Sequence, residues 1–191
     1  MKINKISNIA TKQGDKGTSK NYNNDLYRKS DILFETLGSI DELSSFLGLT
    51  YHFSNLNRII IIQNDLQKLS SVIATSPKSD LYSKIQMITV EDVISLEAKM
   101  QKELDKKSIE PKLFLPGSEK SNIGAYFDVC RTKARRAERR IDEFILKHDR
   151  HDLEIVRSYI NRLSDYLFVL SCNLWFPFKK KHIFKKNSLS I

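Results

Sequence analysis

A chain of 191 residues, 40% hydrophobic and 29% charged, has the size and composition of one globular domain, and no apolar run reaches the ~20 residues that cross a bilayer. Six glycines and four prolines give little punctuation, which favours long helices over many short strands. The net charge of +9 suits nucleic acid, phosphorylated small molecules or an anionic surface without choosing among them.

Residues 1–28 read as an irregular polar arm. Within it, Thr11-Lys-Gln-Gly-Asp-Lys-Gly-Thr-Ser19 combines two glycines, which let a backbone approach phosphate oxygens, with hydroxyl donors and lysine charge. The spacing is neither a Walker A loop nor a dinucleotide fingerprint, so a plain Gly/Asp turn stands beside the phosphate cradle as an alternative. A first helix is predicted over 30–53, with Leu33, Leu37, Ile40, Ser44 and Leu47 inward and Asp31, Glu35 and Glu42 on the far side. Gly38, Asp41, Ser45 and Gly48 share one flank. Mid-helix glycine costs about 1 kcal/mol against alanine, so two of them predict close packing there, which Asp41 would meet unless it is simply solvated.

The second helix spans 55–76, with Leu56, Ile59, Ile62, Leu66, Leu69 and Ile73 inward. The continuous run from Ile59 to Ile62 predicts burial on more than one side. Pro77 ends it. Thr89-Val-Glu-Asp92 resembles a capping box that opens a third helix through Lys106, with Val93, Leu96, Met100 and Leu104 as its core face. The loop 107–122 holds Leu113-Phe-Leu-Pro-Gly117, an apolar segment that either tucks under a bundle end or lines a pocket.

The fourth helix, 121–147, repeats Ile123, Phe127, Cys130, Ala134, Ala137, Ile141 and Phe144 at spacings of a single buried stripe. Six of the ten residues from Arg131 to Arg140 are cationic and only Glu138 offsets them. Like charges one turn apart cost a few tenths of a kcal/mol per pair. An anionic ligand, or acids of another helix or subunit, would relieve that; a solvated Arg-rich face is the alternative. The fifth helix repeats Leu153, Val156, Ile160, Leu163, Leu167, Leu170 and Leu174, with Asn161, Arg162 and Asp165 on its polar side. The organisation is an arm (1–28), a helical bundle (29–176) and a basic tail (177–191). Cys130 and Cys172 sit on or beside apolar stripes, as thiols do in a reducing compartment. Four histidines without ligand spacing argue against zinc, and no Ser-His-Asp or Cys-His arrangement is visible. The N-terminus lacks a signal-peptide core, so the cytoplasm is expected, or the mitochondrial matrix if a presequence has been removed.

Three segments, taken in order, resemble the PduO-type ATP:cob(I)alamin adenosyltransferases. They are Thr11 to Thr18 with Lys29-Ser-Asp and Glu35-Thr-Leu-Gly-Ser-Ile-Asp-Glu-Leu43; Leu115-Pro-Gly117 with Cys130-Arg-Thr-Lys-Ala-Arg-Arg-Ala-Glu-Arg139; and Tyr159-Ile-Asn-Arg-Leu-Ser-Asp-Tyr-Leu-Phe168. The resemblance implies an all-α five-helix bundle assembled as a homotrimer, with active sites between neighbouring subunits. Thr11, Lys12, Gly14, Asp15, Gly17 and Thr18 would wrap the ATP triphosphate, and Lys29 would add a contact. Arg135, Glu138 and Asn161 would hold the nucleotide, with Mg²⁺ carried mainly by the phosphates and Glu138 nearby. Asp41 and Arg131 would pair across the subunit interface and, with Arg135, form the catalytic set. Arg136 and Arg139 would complete the cationic cluster, and Leu113, Phe114 and Phe168 would line the cobalamin pocket.

The implied reaction is attack of cobalt(I) of reduced cobalamin on the 5′-carbon of ATP, expelling triphosphate. The substrate is then its own nucleophile, which agrees with the missing triad. A reductase or an acceptor mutase would be a partner; nucleic acid and membrane would not. Departures cluster on the cobalamin side: Leu113 stands where the family has an aromatic, and Asp128 where it has histidine three residues before Arg131. On the first helix, Leu33 replaces an arginine and Ser44 an asparagine. Two readings compete with this one. One is a cationic helical nucleic-acid-binding protein; the other is a trimeric ATP-binding homologue without cobalamin chemistry.

Overall fold

Five α-helices carry the chain in a computed structural model that describes residues 5, 6, 10, 12, 14–109 and 121–173. Helix α1 (Ile32–Ser54) starts where the Asp31 carboxylate accepts the Leu33 N–H at 2.9 Å, and it stops at Asn55, whose φ of 52° is left-handed. Helix α2 covers Arg58–Ile73 and α3 covers Val90–Lys106. The capping box that opens α3 is formed, with Asp92 accepting the Thr89 N–H at 2.9 Å. Helix α4 (Asn122–His148) is capped by the Ser121 hydroxyl, which accepts the Gly124 N–H at 3.0 Å, and α5 covers Glu154–Asn173.

Helix α4 lies between α1 and α5, α3 packs on the outside of α5, and α2 packs on α1. The α4 stripe is buried from Phe127 to Phe144 as its spacing predicts, with Ile123 half-buried, and its small residues Ala134 and Ala137 let the flanking helices come close. Leu43, Leu47, Ile59, Leu69, Ile141, Ile160 and Leu163 fill the same core. Each such side chain contributes roughly 1.5–3 kcal/mol on leaving water.

Four expectations change. The arm is not irregular throughout, because β1 (Thr18–Lys20) and β2 (Leu26–Arg28) pair antiparallel, with Thr18 opposite Arg28. Helix α1 is rotated relative to the predicted stripe: Thr36, Leu43 and Thr50 are buried, whereas Leu37 and Ser44 are half-buried. Buried hydroxyls make this tolerable, since Thr36 donates to the Arg140 carbonyl at 3.0 Å and Thr50 to the Phe46 carbonyl at 2.8 Å. In α2, Ile59 and Ile62 are buried but Ile60 and Ile61 are exposed, so the apolar run is sunk on one side only. At Gly48 the expected close packing is met, since a Cβ there would lie 3.4 Å from Gln63 Nε2 of α2, whereas among the described residues nothing comes within 4 Å of the space a Cβ on Gly38 would take, so the flank is open from Gly38 to Ser45. No helix among the described residues is long and apolar enough to cross a membrane. The expected tail (177–191) lies outside the described residues.

Candidate active site

The glycine loop turns back on itself. Gly17, at φ 75°, adopts a left-handed conformation that side chains resist, and its N–H donates to the Gly14 carbonyl at 3.2 Å. The Lys29 N–H donates to the Gly17 carbonyl at 2.9 Å, which brings the turn after the hairpin against the loop. The Lys29 side chain then lies across Gly14: a Cβ there would sit 2.7 Å from its Nζ. Only glycine leaves that space. The structure therefore joins Gly14, Asp15, Gly17, Thr18 and Lys29 in one cationic turn, with Lys12 leading into it at φ 59°. Thr11 lies outside the described residues.

On α4 the cations divide into two groups. Lys133 Nζ lies 2.5 Å and Arg136 3.3 Å from the Glu42 carboxylate of α1. Arg140 meets Glu143 at 2.8 Å and Glu35 at 3.8 Å, and Arg131 meets Asp128 at 2.8 Å. Glu42 is therefore turned to α4 and half-buried, whereas Glu35 stays exposed. The hydrogen bond from Lys133 holds the Glu42 carboxyl below the ordinary carboxylate range. Arg136, expected in the open cluster, is thus already matched. Arg135 and Arg139 are exposed and have no carboxylate partner among the described residues.

Beside Arg135, one turn along α4, Glu138 accepts a hydrogen bond from Asn161 Nδ2 of α5 at 2.6 Å. This hydrogen bond joins two of the residues predicted for the nucleotide, with the third, Arg135, one turn away on α4. Arg162 next to it is turned to Glu97 at 2.8 Å and Asp165 at 3.1 Å. Phe168 is half-buried two turns further along α5. Asp41 is exposed with Gly38 and Ser45 on the open flank of α1, and it has no ion-pair partner among the described residues. Within the chain, Arg131 belongs to Asp128, which is itself buried. Leu113 and Phe114 lie outside the described residues.

Two features were not anticipated. Glu42 neutralises two cations from 91 and 94 residues away, which depends on the register of α1 against α4 and leaves no local trace. The pairing of Asp128 with Arg131 is the second, although their i,i+3 spacing is readable in the sequence. Among the described residues no group of three or more His, Cys, Asp or Glu could hold a metal ion.

Comparison with known proteins gives a consistent picture. A family model described as cobalamin adenosyltransferase matches residues 9–174. The chain is 34% identical over 202 residues to corrinoid adenosyltransferase MMAB of Bos taurus, covering 99% of this chain and 80% of that protein. It is 32% identical to the corrinoid adenosyltransferase of Citrobacter freundii, with 85% and 92% covered. A variant PduO-type ATP:corrinoid adenosyltransferase from Lactobacillus reuteri, solved with cobalamin and ATP, superposes with a TM-score of 0.77 at 30% identity, covering 86% of this chain and 92% of that one.

Proposed function

The chain belongs to the cobalamin adenosyltransferase family, and from that membership we propose how its residues divide the work. It is a transferase that moves the 5′-deoxyadenosyl group of ATP to the cobalt of reduced cobalamin and releases triphosphate. The cobalt electron pair forms the Co–C bond as the C5′–O bond breaks, and that bond's electrons leave with the triphosphate. Protein groups have to place the ribose carbon and stabilise the departing charge.

Lys12, Gly14, Asp15, Gly17, Thr18 and Lys29, with Thr11, wrap the triphosphate, and Arg135 meets it from α4. Glu138 and Asn161 hold the nucleotide beside it. The donor set fits Mg²⁺, which prefers substrate phosphates and one or two carboxylates to an all-protein cage; Glu138 is the carboxylate at hand, and the ion would shield phosphate charge. Leu113, Phe114 and Phe168 are assigned to the cobalamin pocket.

One observation supports a site shared between subunits of a homotrimer. The nucleotide loop sits at the C-terminal end of α4, where Asp31, two residues after Lys29, is 3.7 Å from His148. Glu138 lies ten residues before His148, about 15 Å up the helix. The loop of one copy and the helix face of another would close that gap, with Asp41 reaching Arg131 across the open flank. The free thiols Cys130 and Cys172 support a reducing compartment, the cytoplasm or the mitochondrial matrix, with a reductase that supplies cobalt(I) or a mutase that accepts the product as the partner.

The test is an anaerobic assay with ATP, Mg²⁺ and chemically reduced cobalamin. Appearance of the adenosylcobalamin spectrum is expected. ATP binding without any spectral change would leave a nucleotide-binding homologue that has lost the chemistry.

A further inference from the structure

We propose that Asn23 is a positioning residue for the nucleotide: it moors the tip of the β1–β2 hairpin to the end of α2 and so fixes the loop and Lys29 at the hairpin's other end. This rests on the assignment of that loop to ATP. The loop enters β1 at Thr18, and β2 leaves through Arg28 directly into Lys29. Both phosphate-facing pieces therefore hang from the open end of a hairpin only three residues long, about 10 Å. A tilt at the tip is transmitted to both.

The tip is pre-folded. Asn21 Oδ1 accepts the N–H groups of Asn23 at 2.9 Å and Asp25 at 2.8 Å, its Nδ2 donates to Asp25, and Asn24 takes a left-handed φ of 66°. This turn leaves the Asn23 side chain free to reach out of the hairpin. Its Oδ1 accepts the Ser76 backbone N–H at 2.8 Å, 53 residues away, just past the end of α2. The Tyr22 N–H adds a longer bond to the Ala74 carbonyl at 3.3 Å.

Among the described residues the other tethers of the hairpin are few: at its base the Asp31 N–H, at the start of α1, donates to the Arg28 carbonyl at 2.9 Å. A cavity of about 470 Å³ separates the hairpin from the ends of α2 and α4, lined by Tyr27, Leu33, Thr75, Phe144 and His148 among others. Tyr27 alone crosses toward the core, edge-on to Phe34 with ring centroids 6.4 Å apart. With so few tethers, removing the Asn23 bond lets the loop sample other positions. ATP must then order it on binding, which weakens affinity and leaves the chemistry of the bound complex unchanged.

The experiment is steady-state kinetics of the full chain with pre-reduced cobalamin, varying each substrate, for wild type, Asn23→Ala and Asn23→Asp. Asn23→Ala should raise the KM for ATP about three- to tenfold, the worth of one hydrogen bond, with kcat and the cobalamin KM within about twofold of wild type. Asn23→Asp keeps the acceptor oxygen and should restore the ATP KM to within about twofold of wild type. An unchanged ATP KM in Asn23→Ala would overturn the proposal, and so would parallel loss in kcat and both KM values. Asn23→Asp as damaging as Asn23→Ala would also overturn it. Calorimetry of ATP with the wild type separates the two levels of inference. No binding there defeats the assignment of the loop itself, whereas equal binding by wild type and Asn23→Ala defeats only the role of Asn23.

Discussion

At the scale of single residues, what distinguishes the cations of α4 is whether an acid has already claimed them. Arg135 and Arg136 are adjacent and chemically identical, yet Arg136 is 3.3 Å from Glu42 and Arg135 has no carboxylate among the described residues. Arg135→Ala should lower ATP affinity about ten- to hundredfold, as removal of a charge-assisted hydrogen bond of roughly 1.5–3 kcal/mol would. Arg136→Ala, measured by the same calorimetry, should change it by no more than about threefold, as expected for a surface pair. Equal effects would mean the Glu42 pairing does not sort them. Gly14→Ala tests the loop. Its Cβ would land 2.7 Å from Lys29 Nζ, the far end of a flexible chain, so the ammonium should swing away and the fold survive. ATP affinity should fall about tenfold, the worth of a single charge-assisted hydrogen bond from that ammonium, with the thermal midpoint little changed. The candidacy of Arg135, Gly14 and Lys29 was legible in the sequence. The division between Arg135 and Arg136 was not, because it is made by a helix that lies far away in the chain.

At the scale of elements, α2, α3 and α5 are joined by a buried polar knot. Glu103 of α3 accepts Arg58 of α2 at 2.8 Å and Lys106 at 2.9 Å, Arg58 also reaches the Tyr166 hydroxyl of α5 at 3.2 Å, and Asn173 Nδ2 donates to the Glu103 carbonyl at 2.8 Å. Burial alone would raise the Glu103 carboxyl, but the hydrogen bonds from Lys106 and Arg58 hold it below its ordinary value. A depressed folded pKa stabilises the fold above the unfolded carboxylate value, about 4.3, and that stability is lost as pH falls through the lower folded value. Glu103→Gln should therefore flatten the acid limb of the stability profile, measured by urea denaturation between neutral pH and pH 3. An unchanged acid limb would remove Glu103 as its source. The five helices were legible because their stripes are long and regular. The exact face of α1 was not, since Thr36 and Thr50 look polar in sequence and satisfy their hydroxyls inside. Nor was the hairpin, whose three-residue strands are too short to show alternation.

At the scale of the whole molecule, the open features of α1 and α4 belong together. Gly38, Asp41 and Ser45 form an uncovered flank, while Leu49 and Phe53 continue exposed apolar surface along the same helix. Phe53 stacks on Tyr126 of α4 with centroids 4.9 Å apart, and Val129 is exposed one turn beyond Tyr126. A trimer interface over this surface would bring Asp41 to Arg131, which Asp128 already holds from within the helix. Asp41→Asn should weaken assembly or cobalamin turnover while leaving the helical circular dichroism intact. Sedimentation velocity at micromolar concentration checks the first, and a wild type that runs as a monomer would end the shared-site reading. The sequence offered the flank as a cluster of small residues around an acid. What it could not offer was that nothing among the described residues covers Gly38.

The pairing of Glu35, Glu42, Asp128 and Glu143 with four of the six α4 cations also determines how the helix responds to ionic strength. To a long polyanion this face presents about two uncompensated charges, so counterion release from it should give a log–log slope of only about −2 against salt for duplex DNA. Such binding fades at physiological salt. A compact anion carrying its charge on a few neighbouring oxygens can engage Arg135 from one side and the lysine-bearing loop from the other. Internal neutralisation thus leaves this face of α4 better matched to a small, dense anion than to an extended one.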